Sequence, residues 1–64
     1  MTRQDWRINI ENIAASVATK YGNDAAAFVF SKYAASCFDN LSPTYYWDVF
    51  GTLQQMDEDF DEDG

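Results

Sequence analysis

The sequence contains no histidine and only one cysteine, Cys37. Without histidine, a serine or cysteine nucleophile lacks its usual general base, and no pair of carboxylates falls in a predicted apolar pocket. A single cysteine cannot form an internal disulfide, so nothing indicates a stapled secreted scaffold and a reducing cytoplasm is expected. We therefore predict a protein that is not an enzyme and needs no cofactor, with Cys37 as a small core residue.

Long hydrophobic runs are missing as well. No apolar run approaches the roughly 20 residues that a membrane span requires, and residues 1–7 contain no apolar segment typical of a secretion signal. The sequence therefore predicts a cytoplasmic protein that does not insert into membranes.

A metal site is not predicted either. The last residues match the first half of a calcium loop, in which oxygen ligands at alternate positions precede a glycine: Asp59, Asp61, Asp63 and Gly64. The second half of such a loop, with its bidentate glutamate, does not follow. We expect at most weak, nonspecific binding of cations by this segment.

Basic residues are scarce: four stand against eleven acidic residues, which gives a formal net charge of -7. Six of the acidic residues follow Met56, and no basic residue follows Lys32. This charge disfavours direct contact with nucleic acid or an anionic membrane and favours contact with a basic protein surface. A charge of this size also serves solubility alone in a small domain, so it does not by itself identify a partner.

What the 64 residues do contain is a 47% hydrophobic content arranged in three helical stripes. Apolar residues recur at intervals of three and four, which predicts an all-α, single-domain three-helix bundle without a sheet. The predicted helices cover residues of about 4–21, 24–36 and 43–58, followed by an acidic tail at about 59–64. The residues predicted to be buried are Ile13, Val17, Phe30, Tyr46, Phe50 and Leu53.

Local signals set the expected helix boundaries. Thr2 or Asp5 is a candidate N-cap for the first helix, and Gly22 is expected to end it. Asn23 is the expected cap of the second helix. Ser42 before Pro43 combines a capping hydroxyl with proline at the first helical position, which predicts the start of the third helix.

The third helix also supplies most of the candidate partner-binding residues. Its carboxylates fall opposite the predicted apolar stripe, and Trp47 projects to the flank of that stripe, where half-exposed aromatic residues are typical interface anchors. Gly51 weakens this helix and is expected to mark the close approach of a neighbouring backbone. The predicted partner-binding residues are Asp39, Trp47, Asp48, Asp57, Glu58, Asp59, Asp61 and Glu62.

A resemblance to known small proteins covers about Tyr21 to Asp59. It rests on two segments, YGNDAAAFVFSKY and FDNLSPTYYWDVFGTLQQM. With the YG turn, the leucine-serine-proline step before paired tyrosines and the acidic C-terminus, the chain resembles small acidic proteins carried by bacterial mobile elements. In size, charge and helical content it is also similar to anti-CRISPR proteins. That second likeness implies a bacterial host cytoplasm and a basic partner, and it transfers no residue roles.

Two functional hypotheses follow. In the first, the protein is an inhibitory DNA mimic of the anti-CRISPR or antirestriction kind, whose acidic face fills the basic groove of a nucleic-acid-binding protein such as a Cas complex. In the second, it is a small interaction module or subunit that binds through exposed apolar residues, with Ile8, Phe28 and Trp47 as candidates.

Overall fold

The computed structural model describes residues 1–60 and shows a three-helix bundle with no strand in that range. Its elements, in chain order, are α1 (Arg3–Tyr21), α2 (Asn23–Ser31), two 3-10 turns (Phe38–Asn40 and Pro43–Tyr45) and α3 (Tyr46–Asp59). The predicted all-α bundle is confirmed. None of the helices in this part of the chain combines the length and the apolar character that crossing a bilayer requires.

Both ends of α1 follow the local signals. The Asp5 N–H donates to Thr2 Oγ1 at 3.1 Å and the Thr2 N–H donates to the Asp5 carboxylate at 3.2 Å, which is a capping box. At the other end the Gly22 N–H donates to the Ala18 carbonyl at 2.9 Å, and Gly22 has a φ of 104° that only glycine adopts without strain. Asn23 is not the cap of α2 but its first residue, because Gly22 occupies the cap position.

The second helix ends at Ser31 rather than near Ser36, so its predicted length was wrong. Ala34 has a φ of 60°, and its N–H donates to the Ser31 carbonyl at 3.2 Å. The Ala35 N–H donates to the Phe30 carbonyl at 3.1 Å, which completes the pair of bonds of a Schellman motif. The alanine-rich sequence predicted a longer helix, but ending it here lets the chain turn back toward the core.

Cys37 is exposed, so the prediction that it belongs to the core was wrong. The expectation extended the period of α2 past the point where the helix ends. In the structure Cys37 has an extended backbone with a φ of -161°, and its N–H donates to Asn40 Oδ1 at 3.2 Å. The next side chain, Phe38, takes the buried position instead, with 2% of its surface exposed.

The core lies where α1 packs on both other helices. Four of the six residues predicted to be buried are buried, whereas Ile13 and Phe50 are partly buried at its edge. The segment after α2 adds Ala35, Phe38 and Leu41 to the core, and the last two lie in a connection that was not expected to supply core residues. The most deeply buried side chains are Ile10, Val17, Val29, Phe38, Val49 and Leu53.

The first and third helices run in the same direction. Near the start of both, the Trp6 ring lies 5.7 Å from that of Tyr46. Near their ends, the Tyr21 hydroxyl donates to the Met56 carbonyl at 2.7 Å. One side of α3 is therefore covered by α1 along its length, and the other side is left for solvent or a partner.

Candidate partner-binding site

The outer side of α3 carries a shallow, open groove of about 460 Å³. All of its lining residues come from this one helix, at spacings of four residues that place them in two neighbouring rows. The lining residues are Trp47, Asp48, Gly51, Thr52, Gln55, Met56 and Asp59. We call this feature the α3 groove.

Gly51 creates the groove. A Cβ atom built at this position would meet nothing within 4 Å, so the expected close approach of a neighbouring backbone is not what this glycine serves. Its missing side chain instead leaves a gap between Trp47 and Gln55, one turn to either side. Because glycine in the middle of a helix costs about 1 kcal/mol relative to alanine, the gap has a cost in stability.

Trp47 forms one end of the groove and is 69% exposed. Other aromatic rings hold its ring in place. The ring centroids of Trp47 and Trp6 lie 5.1 Å apart in an edge-to-face arrangement, and those of Trp47 and Phe50 lie 6.4 Å apart. Trp6 in turn packs on Tyr46 in the core. The indole is thus held from one side by an aromatic cluster and presents the rest of its surface to solvent, which is the flank position that the sequence predicted.

The charges along the groove have one sign. Asp48, Glu58 and Asp59 are all exposed on α3, which contains no basic residue. The Gln55 side-chain amide donates to both carboxylate oxygens of Asp59 at 3.0 Å, which holds that carboxylate at the far end of the groove. No basic side chain of the described chain forms an ion pair with Asp48.

Asp39, also predicted to bind a partner, does not line the groove. Its carboxylate pairs with Arg7 and lies 3.9 Å from an Arg3 nitrogen. The hydrogen bond with Asp39 raises the pKa of the Arg7 guanidinium above its usual value. Much of the charge at Asp39 is therefore offset within the protein.

Asp57 also has partners within the bundle. Its carboxylate lies 2.8 Å from Lys20 Nζ and accepts a hydrogen bond from the Ser16 hydroxyl. These contacts, the Lys20 bond first and the Ser16 bond second, lower the pKa of Asp57. Asp57 thus ties α3 to α1 and stands apart from the exposed carboxylates on either side of it in sequence.

The two remaining predicted residues, Asp61 and Glu62, lie outside the described residues, as do Asp63 and Gly64 of the calcium-like segment. Within residues 1–60, no group of three or more acidic or cysteine side chains is arranged to hold a metal ion.

Comparison with protein-family models gives no match to this chain. Curated proteins and solved structures give none either.

The sequence predicts three of the groove residues as binding residues, Trp47, Asp48 and Asp59, but not the four that lie between them: Gly51, Thr52, Gln55 and Met56. The signal for Gly51 was its position four residues after Trp47 and four before Gln55, which places it midway along the polar side of the helix. Gly51 was instead interpreted as a packing contact, because glycine in a helix often marks one.

Proposed function

We propose that this protein is a non-enzymatic inhibitor that binds a basic nucleic-acid-binding protein through the outer side of α3. The observation that carries the proposal is the combination of exposed carboxylates of one sign with a fixed, 69% exposed tryptophan on the same face. Charge attracts and orients a basic partner, and an aromatic anchor that is already held in place fixes the register of the complex at little entropic cost.

In its specific form the proposal is DNA mimicry of the anti-CRISPR kind, in which the protein blocks DNA binding by a Cas complex in a bacterial cytoplasm. Asp48 and Asp59 stand about 16 Å apart along the helix axis at 1.5 Å per residue. This length corresponds to about five phosphate steps on one DNA strand. The net charge of -7 and the acidic residues after Asp59 support the same assignment.

The second candidate function is an interaction module that binds through apolar contacts. A specific observation favours it: the three apolar side chains named as candidate contacts are all well exposed, Trp47 at 69%, Phe28 at 61% and Ile8 at 49%. Such an interface would be insensitive to salt, whereas a DNA mimic depends on charge.

Competition with DNA tests the first proposal. The tagged protein first captures partners from a bacterial lysate that carries CRISPR and restriction systems. The captured nucleic-acid-binding protein is then purified, and a labelled duplex of its target DNA serves as the probe for binding. We expect this protein to displace the duplex, and the duplex to displace this protein. Simultaneous binding of both, with neither affinity reduced, would exclude mimicry.

A further inference from the structure

We infer that the α3 groove is a receptor for an arginine side chain of the partner, which stacks on Trp47 and pairs with Asp48. The inference rests on the proposed function, since it names the group of a basic partner that the groove recognises. It assigns recognition to two adjacent residues and to the gap that Gly51 leaves beside them.

A pair of the same residue types occurs elsewhere in the molecule, in the 3-10 turn Phe38–Asn40, where the chain's own arginines contact it although Phe38 itself is buried. Phe38 and Asp39 are an aromatic residue followed directly by an aspartate, as are Trp47 and Asp48. At the first pair, the guanidinium groups of Arg3 and Arg7 each lie 5.1 Å from the centre of the Phe38 ring. Both also pair with the Asp39 carboxylate. The first pair is therefore filled from within the chain.

The second pair has no such occupant among the described residues. The chain has four basic residues, and each has other contacts: Arg3 and Arg7 at Asp39, Lys20 at Asp57 and Lys32 over the Phe28 ring at 4.9 Å. Trp47 and Asp48 thus present an unoccupied aromatic face and an unpaired carboxylate on an acidic surface. Charge complementarity favours a cationic group there, and since the chain's own basic side chains have other contacts, that group would come from another molecule.

Arginine fits this groove better than lysine does. A planar guanidinium stacks on an indole and donates two parallel hydrogen bonds to a carboxylate, whereas an ammonium is a compact and strongly hydrated charge. The gap at Gly51 leaves room beside the indole for the aliphatic part of the side chain, which Thr52 and Met56 border. A side chain at position 51 would occupy that space.

Two synthetic peptides provide the test. They share one alanine-based helical sequence and differ only in that every arginine of the first is lysine in the second. Each is titrated into the isotope-labelled full chain at low salt. We expect the arginine peptide to bind on the order of threefold more tightly, with the largest shifts in the Trp47 indole N–H signal and the backbone signals around Gly51.

Filling the groove should remove this preference. Gly51→Leu leaves the charge unchanged, and a Cβ at that position has open space around it, so the variant should melt at or above the wild-type temperature. We expect it to bind both peptides equally. The matched control is Gln54→Leu, which adds the same side chain to an exposed position of α3 outside the groove and should keep the preference for arginine.

The possible failures are distinguishable. Equal affinity for the two peptides in the wild type, no binding of either, or a preference that survives Gly51→Leu would each overturn the groove inference. None of these results bears on the competition with DNA, which tests the proposed function by itself. Loss of that competition would overturn the proposed function even if the arginine preference were observed.

Discussion

Ala34 is the single non-glycine residue with a positive φ in the described chain, at 60°. A left-handed conformation costs an alanine roughly 1–2 kcal/mol, and glycine avoids most of that cost while gaining entropy in the unfolded state. We expect Ala34→Gly to stabilise the protein by about 1 kcal/mol, which corresponds to a rise of about 4–8 °C in the melting temperature.

Thermal melts followed by circular dichroism would measure this change. The matched control is Ala27→Gly, an exposed position inside α2, where the same substitution should destabilise by about 1 kcal/mol. A lower melting temperature for Ala34→Gly would contradict the assigned end of α2.

The contrast between Leu53 and Phe50 gives a second prediction for single residues. Leu53 is fully buried, whereas Phe50 is only partly buried beside Trp6 and Trp47. Leu53→Ala should therefore cost about 2–5 kcal/mol by leaving a cavity, enough to unfold much of so small a domain. Phe50→Ala should cost less, because part of its site opens to solvent. Urea titrations of both variants would measure how much free energy of unfolding each one loses. A larger loss for Phe50→Ala than for Leu53→Ala would mean that α3 is rotated about its axis.

Single residues also show where prediction from sequence succeeded. Gly22 ends α1 as predicted, and Thr2 is one of the two N-cap candidates, because caps depend on a few neighbouring residues. Cys37 and Phe38 were not predicted correctly. Which of two adjacent side chains is buried after a helix ends depends on the direction of the chain there, and the spacing of apolar residues does not contain that information.

Among the elements, the bounds of α1 were predicted best and those of α2 worst, and α3 begins at Tyr46 rather than at 43 because Pro43–Tyr45 forms a 3-10 turn. The polar side of α3 follows from its 3.6-residue period, so Asp48, Gln55 and Asp59 were correctly placed opposite the core. The end of α2 has no glycine to mark it. Alanines continue past Ser31, and the helix stops there because Phe38 and Leu41 gain more from burial than a further turn of α2 would contribute.

The attachment of α3 to α1 through Asp57 should make stability depend on pH. Hydrogen bonds from Lys20 and Ser16 lower the pKa of Asp57 in the folded state, so its charged form favours folding. This contribution is complete above the ordinary aspartate pKa of 3.8 and is lost as the pH falls through the lowered folded-state value. Asp57→Asn should therefore have a lower melting temperature than the wild type at neutral pH, and the two melting temperatures should converge in strong acid.

Melting temperatures of both proteins across the acid range would test this. The same comparison made in a Lys20→Met background serves as the control, because Lys20 supplies the larger of the two contacts to Asp57 and the pH-dependent difference should shrink without it. A difference between Asp57→Asn and the wild type that stays constant down to strong acid would mean that Asp57 acts through packing rather than through charge.

At the scale of the whole molecule, the charges divide into those used within the bundle and those left for a partner. Asp39, Glu11 and Asp57 pair with Arg7 or Lys20, while Asp48 and Asp59 lie along the groove. The sequence predicted the excess of negative charge but not this division. Ion pairs between residues more than 30 positions apart, such as Arg7 with Asp39, depend on the packing of the helices.

The division of charges predicts how binding to a basic partner responds to salt and to substitution. Raising the ionic strength from 0.1 M toward 1 M shortens the Debye length from about 10 Å to about 3 Å, and the affinity should fall steadily over that range. Asp48→Asn and Asp59→Asn keep the shape of the groove and remove charge, so each should weaken binding by roughly two- to fivefold. Glu62→Gln, outside the described residues, is expected to act in the same direction if the acidic tail contributes.

The controls separate charge from apolar contact in this experiment. Asp24→Asn removes one charge from an exposed site on α2 and should change the affinity little beyond the general effect of net charge. Trp47→Ala removes the anchor, so it should weaken binding at every salt concentration. If Trp47→Ala abolished binding while both amide variants and high salt had no effect, the partner would be held by apolar contact alone, and the interaction-module hypothesis would replace DNA mimicry.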